Sequence, residues 1–399
     1  MKSRSNWTRR LALTAALALP LAWTAGVQAA EPVKIGYAIA QTGPFAPIAD
    51  SQIKAYQLWA KQIEEQGGLD VAGEKRPIEF VVYDDQSDFG KIPGIYEKLI
   101  TDDEVDLLLA PWGTPFHFAV AGVLERYSFP MVGNTAASVQ LRDLAPGNIW
   151  FPTSAIPDRI AEELVKLLEA EGVTSVAVNT LQLPFSQEVK TFLIPALQKA
   201  GIEILVDEEY APGTRDMTAT LTMIKRTQPD GILALAYPPD AITYMNQARE
   251  LDVTAPVQLI LIGPSASFFR DMFGADLDGV MTVGHWSPQK SDWAKAKPFY
   301  DAYVAMHGER PDYLDSALAY TSLEILQQAV AKVGLDKDKL RETIAGETFD
   351  TINGPVRFDG VENAETPTML LQIQGDNLEI VWPPGEATQP VKEKAPWSQ

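Results

Sequence analysis

Val33-Lys-Ile-Gly-Tyr-Ala-Ile-Ala40 opens the series of segments that decides the fold. The run is apolar at nearly every position and too short for a helix of ordinary length. Behind it, Ile53, Tyr56, Trp59 or Ala60, and Ile63 recur at helical spacing, and Gly67-Gly68 stops that helix. Pro77-Ile-Glu-Phe-Val-Val-Tyr83 is the next strand. A helix near 91–101 leads to Val105-Asp-Leu-Leu-Leu-Ala110, and a helix near 116–126 leads to Phe129-Pro-Met-Val-Gly133. Short apolar strands separated by helices are buried on both faces, so the spacing predicts a parallel α/β sheet.

The series then restarts. Helix, strand, helix and strand alternate through Ser175-Val-Ala-Val-Asn179, Ile202-Glu-Ile-Leu-Val206, Gly231-Ile-Leu-Ala-Leu-Ala236 and Val257-Gln-Leu-Ile-Leu-Ile262. Two successive units of one kind predict two Rossmann-like α/β lobes. Later helices at 294–306 and 314–333 are expected to finish the first lobe, and short β runs around Val356, 369–373 and 378–382 the second. The expected division is 1–29 leader, 30–150 plus 287–348 first lobe, 151–286 plus 349–382 second lobe. Three crossovers between lobes are expected, near 150–153, 284–288 and 349–355. Residues 383–399, rich in proline and charge, read as a flexible tail.

The first 29 residues have the order of a secretory signal: Lys2, Arg4, Arg9 and Arg10, then an apolar run from Leu11 to Trp23, then Val27-Gln28-Ala29. Cleavage is expected at Ala29 or Ala30. Pro20, Thr24, Gly26 and Gln28 interrupt the run, which argues against a membrane span of ~20 apolar residues. Arg9-Arg10 leaves export by the general or the twin-arginine route open. The chain of 399 residues has no cysteine, which excludes disulfides, thiolate metal sites and a lipidated N-terminal cysteine. An unlipidated exported protein fits the periplasm of a Gram-negative cell. The formal charge is −20, and without the four basic residues of the leader 29 bases face 53 acids, near −24. Such a surface repels nucleic acid and anionic lipid.

No phosphate loop, G-x-G-x-x-G turn after a strand, nucleophile elbow or H-E-x-x-H is present. His117, His285 and His307 lie far apart in the sequence, no metal or cofactor site is expected, and Asp84-Asp85 is an ordinary pair in so acidic a chain. These absences favour binding over catalysis. A secreted hydrolase of small amides or esters is the alternative, and a sensor domain of related fold a third reading.

Several motifs in order resemble the periplasmic leucine/isoleucine/valine-binding proteins, the receptors of ABC importers. They are Ile35-Gly-Tyr-Ala-Ile-Ala-Gln-Thr-Gly-Pro44, Ile63-Glu-Glu-Gln-Gly-Gly-Leu69, Tyr83-Asp-Asp85 and Pro229-Asp-Gly-Ile232. The resemblance runs from Val33 to about Trp382. It implies a type I periplasmic binding fold closing on an amino acid or other small carboxylate, a membrane permease as partner, and a monomer without cofactor. It places Trp112, Gly113 and Thr114 at the ligand's head group, and Thr135, Ala136, Ala137 and Ser138 at its carboxylate. Phe185 stands where the family often has tyrosine, and Tyr237 at another wall. His285 and Trp286 are expected near the second crossover, facing the ligand. Where amino-acid receptors of the family tend to carry an acid for the ammonium, this chain reads Gly263-Pro-Ser-Ala266, with Ser265 at the acid's place. Either Asp240 or Asp315 replaces that acid, or the ligand lacks an ammonium and an aromatic acid rivals leucine.

Overall fold

A computed structural model describes residues 30–144 and 147–398. The leader and its cleavage site at Ala29 lie outside the described residues. Five parallel strands form the first sheet, in the order Ile78–Asp84, Val33–Ile39, Leu107–Leu109, Met131–Val132, Ile149–Trp150. Val33, Ile35, Ile39, Leu107 and Leu109 are buried, as strands covered on both faces require. The helices Ala46–Glu65 and Asp315–Val333 pack on each other, with Ala296–His307 beside them.

The second sheet has seven strands, Asn377–Trp382, Met369–Gln374, Val280–Gly284, Val257–Ile260, Gly231–Leu235, Ser175–Leu181 and Glu203–Tyr210 in spatial order. The last five are mutually parallel, and the 369–382 hairpin adds two antiparallel strands at one edge. Both sheets therefore share one wiring. The first strand of each unit lies between the second and the third, and the fourth and fifth follow outward. In such a sheet the chain reverses direction of winding between the first and third strands, and a crevice opens there outside their carboxyl ends. That crevice falls after Ile39 and Leu109 in the first sheet, and after Leu181 and Leu235 in the second.

Two expectations need correction. The β runs near Val356 do not join the second sheet. Thr348–Thr351, Gly354–Asp359 and Glu362–Asn363 form a separate three-stranded sheet that packs on the helices Asp315–Val333 and Lys337–Gly346. Their alternating burial turns Phe349, Val356 and Phe358 onto those helices. The third passage to the second sheet is therefore at 360–368, not 349–355. It runs beside the first passage: the Phe151 amide donates to Val361 O (2.7 Å), and Asn363 Nδ2 donates to Pro152 O (2.8 Å).

The second correction concerns the tail. Residues 383–398 are strapped to the second lobe instead of hanging free. The amides of Lys394, Ala395 and Ser398 donate to Pro256 O (2.9 Å), Asp278 O (2.9 Å) and Asp276 Oδ1 (2.7 Å). Trp397 Nε1 donates to Val253 O (2.9 Å), and its ring carries Lys394 Nζ at 4.3 Å. Gly279, at φ +85°, leaves room for the strap, since a Cβ there would meet Glu393 O at 2.5 Å. Proline and charge in the tail advertise a loop, but its partners are backbone acceptors more than a hundred residues earlier, which composition does not display. Trp397→Ala should lower the unfolding free energy by about 1–2 kcal/mol, measured by urea denaturation; an unchanged midpoint contradicts the strap.

Candidate functional site

The first wall is the turn after Leu107–Leu109. Gly113 adopts φ +85° and ψ 154°, outside the range of ordinary residues, and this turns the chain into the helix Thr114–Tyr127. The turn is tied down on all sides. Gly113 N donates to Thr135 Oγ1 (2.7 Å), and Gly113 O accepts from His117 N (3.2 Å) and pairs with His117 Nδ1 (2.9 Å). Thr114 Oγ1 accepts from Ala137 N (3.2 Å) and hydrogen-bonds the Tyr237 hydroxyl from the opposite lobe. Asn134 Oδ1 accepts from Thr135 Oγ1 (3.1 Å), and Asn134 Nδ2 donates to Tyr56 (2.9 Å). The helix start presents unsatisfied N–H groups and the positive end of its dipole, which suit an anion.

The second wall comes from the other lobe. Phe185 opens the helix Pro184–Ala200, and Tyr237 caps Pro238–Glu250; their rings stack at 6.5 Å and 13°. Trp112 meets Tyr237 at 6.0 Å, and Phe45 touches both, at 5.3 Å and 6.3 Å. Aromatic pairs of this geometry contribute about 1 kcal/mol each beyond area burial. Val139 N adds a polar link across the lobes, donating to Glu188 Oε1 on the second (3.1 Å). The lobes are thus closed on each other around a narrow gap of about 400 Å³, nearly all of it within contact distance of its walls.

Of the residues singled out in the sequence, Trp112, Gly113, Thr114, Thr135, Ala136, Ala137, Phe185 and Tyr237 line this one gap. Four do not. Ser138 Oγ accepts from Gln140 N (3.1 Å) and pairs with Glu188. Ser265 Oγ donates to Asp312 (3.0 Å). Trp286 Nε1 donates to Ile352 O (3.0 Å), its ring edge-on to Phe299 and Tyr313. His285 is fully buried with neither ring nitrogen partnered, and burial pushes its pKa down to about 3. Position near a strand end put these four close in sequence, but their side chains turn into the lobe and crossover cores.

Thr153 and Ala155 of the first passage, Ile262, Val283, Leu314 and Leu318 complete the lining and were not singled out. Most are ordinary apolar residues with no chemical signature. Of the two candidate acids, Asp240 Oδ1 accepts from Gly213 N (3.2 Å), off the gap, whereas Asp315 lines it. Asp315 Oδ2 accepts from Trp112 Nε1 (3.0 Å). Burial, then the nearby Asp312 carboxylate, raises the Asp315 pKa well above the usual range, opposed by the Trp112 bond. No lysine, arginine or histidine lines the gap.

A larger hollow of about 690 Å³ is lined by Ser267, Arg270, Asp271, Glu309, Arg310 and Asp376 among others. None of the strand-end residues reaches it, and its lining mixes both signs of charge. The narrower gap at the two crevices is the site that the topology builds.

The fold and this gap define a two-lobed receptor that closes on a small ligand. The family model for periplasmic binding proteins matches residues 32–377, and the chain belongs to that family. It is 22% identical over 384 residues to the Leu/Ile/Val-binding protein homolog 7 of Brucella suis, covering 91% of this chain and 94% of the relative. It is 23% identical over 336 residues to the leucine-, isoleucine-, valine-, threonine-, and alanine-binding protein of Pseudomonas aeruginosa, covering 83% and 87%. Among solved structures, a branched-chain amino acid transporter substrate binding protein from Streptococcus pneumoniae in complex with isoleucine superposes with a TM-score of 0.79 at 21% identity, covering 88% of this chain and all of that one. A solute binding protein from R. palustris in complex with benzoate gives 0.78 at 18%, covering 92% and 97%.

His117 tests the first wall. Burial holds its pKa near 4, below the ordinary 6.5, against the opposing bond to Gly113 O. The unfolded chain takes up a proton there below pH 6.5 and the native chain only near pH 4, so stability falls as pH drops through that window. His117→Gln should flatten the unfolding free energy between pH 6.5 and 4 in urea titrations; an unchanged slope contradicts this placement.

Proposed function

We propose that the mature chain is the periplasmic receptor of an ABC importer. It captures one small hydrophobic carboxylate, an amino acid or a related acid, by closing its lobes, and passes the ligand unchanged to a membrane permease. The observation that carries this reading is the single gap at which both crevices meet, with the N-terminus of helix Thr114–Tyr127 and the Thr114 and Thr135 hydroxyls on one side and rings on the other. A carboxylate suits the helix end and hydroxyls, and an apolar body suits Phe185, Tyr237, Ile262 and Val283. Relatives named for leucine, isoleucine and valine, and neighbours solved with isoleucine and benzoate, support this ligand range. The leader supports export to the periplasm, and we take the receptor to act as a monomer.

The hydrolase alternative gains nothing from the geometry. His117, the nearest histidine to Thr114 in the chain, donates from Nδ1 to Gly113 O and accepts at Nε2 from Asn134 N (3.4 Å). That arrangement leaves it no lone pair with which to activate a hydroxyl.

Thr114→Ala removes a hydroxyl from the head-group end and should weaken binding of the tightest hydrophobic acid by about 10-fold. Calorimetry measures the affinity and a melting curve checks the fold; unchanged affinity refutes the assignment. In a thermal-shift panel of amino acids, amides and aromatic acids, the ligand class should raise the melting temperature. A flat response across the hydrophobic carboxylates, with a shift from unrelated solutes, refutes the ligand range.

A further inference from the structure

The family's usual place for an acid after the fourth strand of the second lobe is empty here: Ser265 stands there and spends its hydroxyl on Asp312. Asp315 instead brings a carboxylate to the gap from a different element, the first turn of helix Asp315–Val333. We infer that Asp315 is the seat of a ligand ammonium, so that the receptor selects hydrophobic amino acids over amine-free acids. This rests on the receptor reading above and narrows its ligand class.

Asp315 is 2% exposed, and its Oδ2 is engaged by Trp112 Nε1 at 3.0 Å. Among the described residues no ion pair is formed by Asp315, and its one charged neighbour is another acid, Asp312. Asp312 is already supplied with donors, from Leu314 N (2.7 Å), Asp315 N (2.8 Å) and Ser265 Oγ (3.0 Å), and has Arg270 in its vicinity. Asp315 has only the indole. Two carboxylates side by side make a field that favours a cation, and the only partner not yet present in a closed gap is the ligand. A buried ammonium without a carboxylate, and a buried carboxylate without a cation, are each costly alone; together they satisfy one another.

The placement matches an α-amino acid. Trp112 holds Asp315, and Gly113 and Thr114, the next residues in the chain, start the helix whose N-terminus suits a carboxylate. Ammonium and carboxylate seats are thus neighbours on the first lobe. The apolar body is left to Phe185 and Tyr237 on the second, so the first lobe alone reads the charged head. Asp240, the other candidate acid, is engaged elsewhere by Gly213 N.

Calorimetry on the mature protein with L-leucine and L-phenylalanine, against 4-methylpentanoate and 3-phenylpropanoate, tests this. The amino acids should bind about 100-fold more tightly than the amine-free acids. Asp315→Asn keeps an acceptor for Trp112 and should reduce that preference to within about fivefold by weakening the amino acids alone, while Asp315→Glu should retain it. Equal or tighter binding of the amine-free acids to the wild type overturns the inference and leaves the receptor reading standing. So does an amine preference that Asp315→Asn leaves intact. Failure of all four compounds to bind overturns the receptor reading as well. The wild-type comparison needs no variant, so a misfolded Asp315→Asn does not shield the inference.

Discussion

The facing of two strand-end crevices is the constraint on which the rest of the molecule depends. A parallel sheet buried on both faces leaves its polar backbone groups free only at the strand ends, where helices begin. Each sheet here has its first strand between its second and third, so each opens one crevice, after Leu109 in the first and after Leu235 in the second. Placed opposite each other, these crevices bring the turn Trp112-Gly113-Thr114 against Tyr237 and Phe185. A hinge closing on that gap gains ring contacts and loses water from the helix end, which strengthens any charge interaction formed there. The three passages at 151–156, 285–295 and 360–368 keep the two sheets in register for that motion, the first and third joined by the Phe151 and Asn363 hydrogen bonds.

The polar groups of the gap are not equivalent. Thr135, Asn134, His117 and Ala137 spend their hydrogen bonds on one another and fix the turn at Gly113. They make the first wall rigid, so a ligand meets a shaped surface and little ordering is left to do on binding. Asp315 differs in being held by one indole N–H alone. A buried carboxylate in that state gains from a cation and from little else. The two walls divide the work between them: the first carries charge and hydrogen-bonding groups, and the second carries rings and aliphatic side chains.

The strands and their order of appearance were legible because apolar runs of four to eight residues between helical periods have few other uses. The head-group turn was legible too, since Trp112, Gly113 and Thr114 directly follow such a run. What the sequence hid was side-chain direction and long-range partnership. Trp286 follows a strand just as Trp112 does, yet its indole reaches Ile352 O, a partner that local pattern cannot announce. Ser265 sits at the expected strand end but turns to Asp312 in a segment far along the chain. The hairpin at Phe349 and Val356 alternates like any half-buried strand, and alternation does not say which lobe the buried face meets. The tail misled for the same reason, its anchors being backbone carbonyls at Val253 and Pro256.

A crystal structure of the mature chain with a bound hydrophobic amino acid tests the central claim most directly. The account places the ligand's carboxylate at the start of helix Thr114–Tyr127, its ammonium on Asp315 and its apolar body between Phe185 and Tyr237, with both lobes in contact with it. Density for the ligand in the larger hollow beside Arg270 and Arg310, or on one lobe alone, would contradict it.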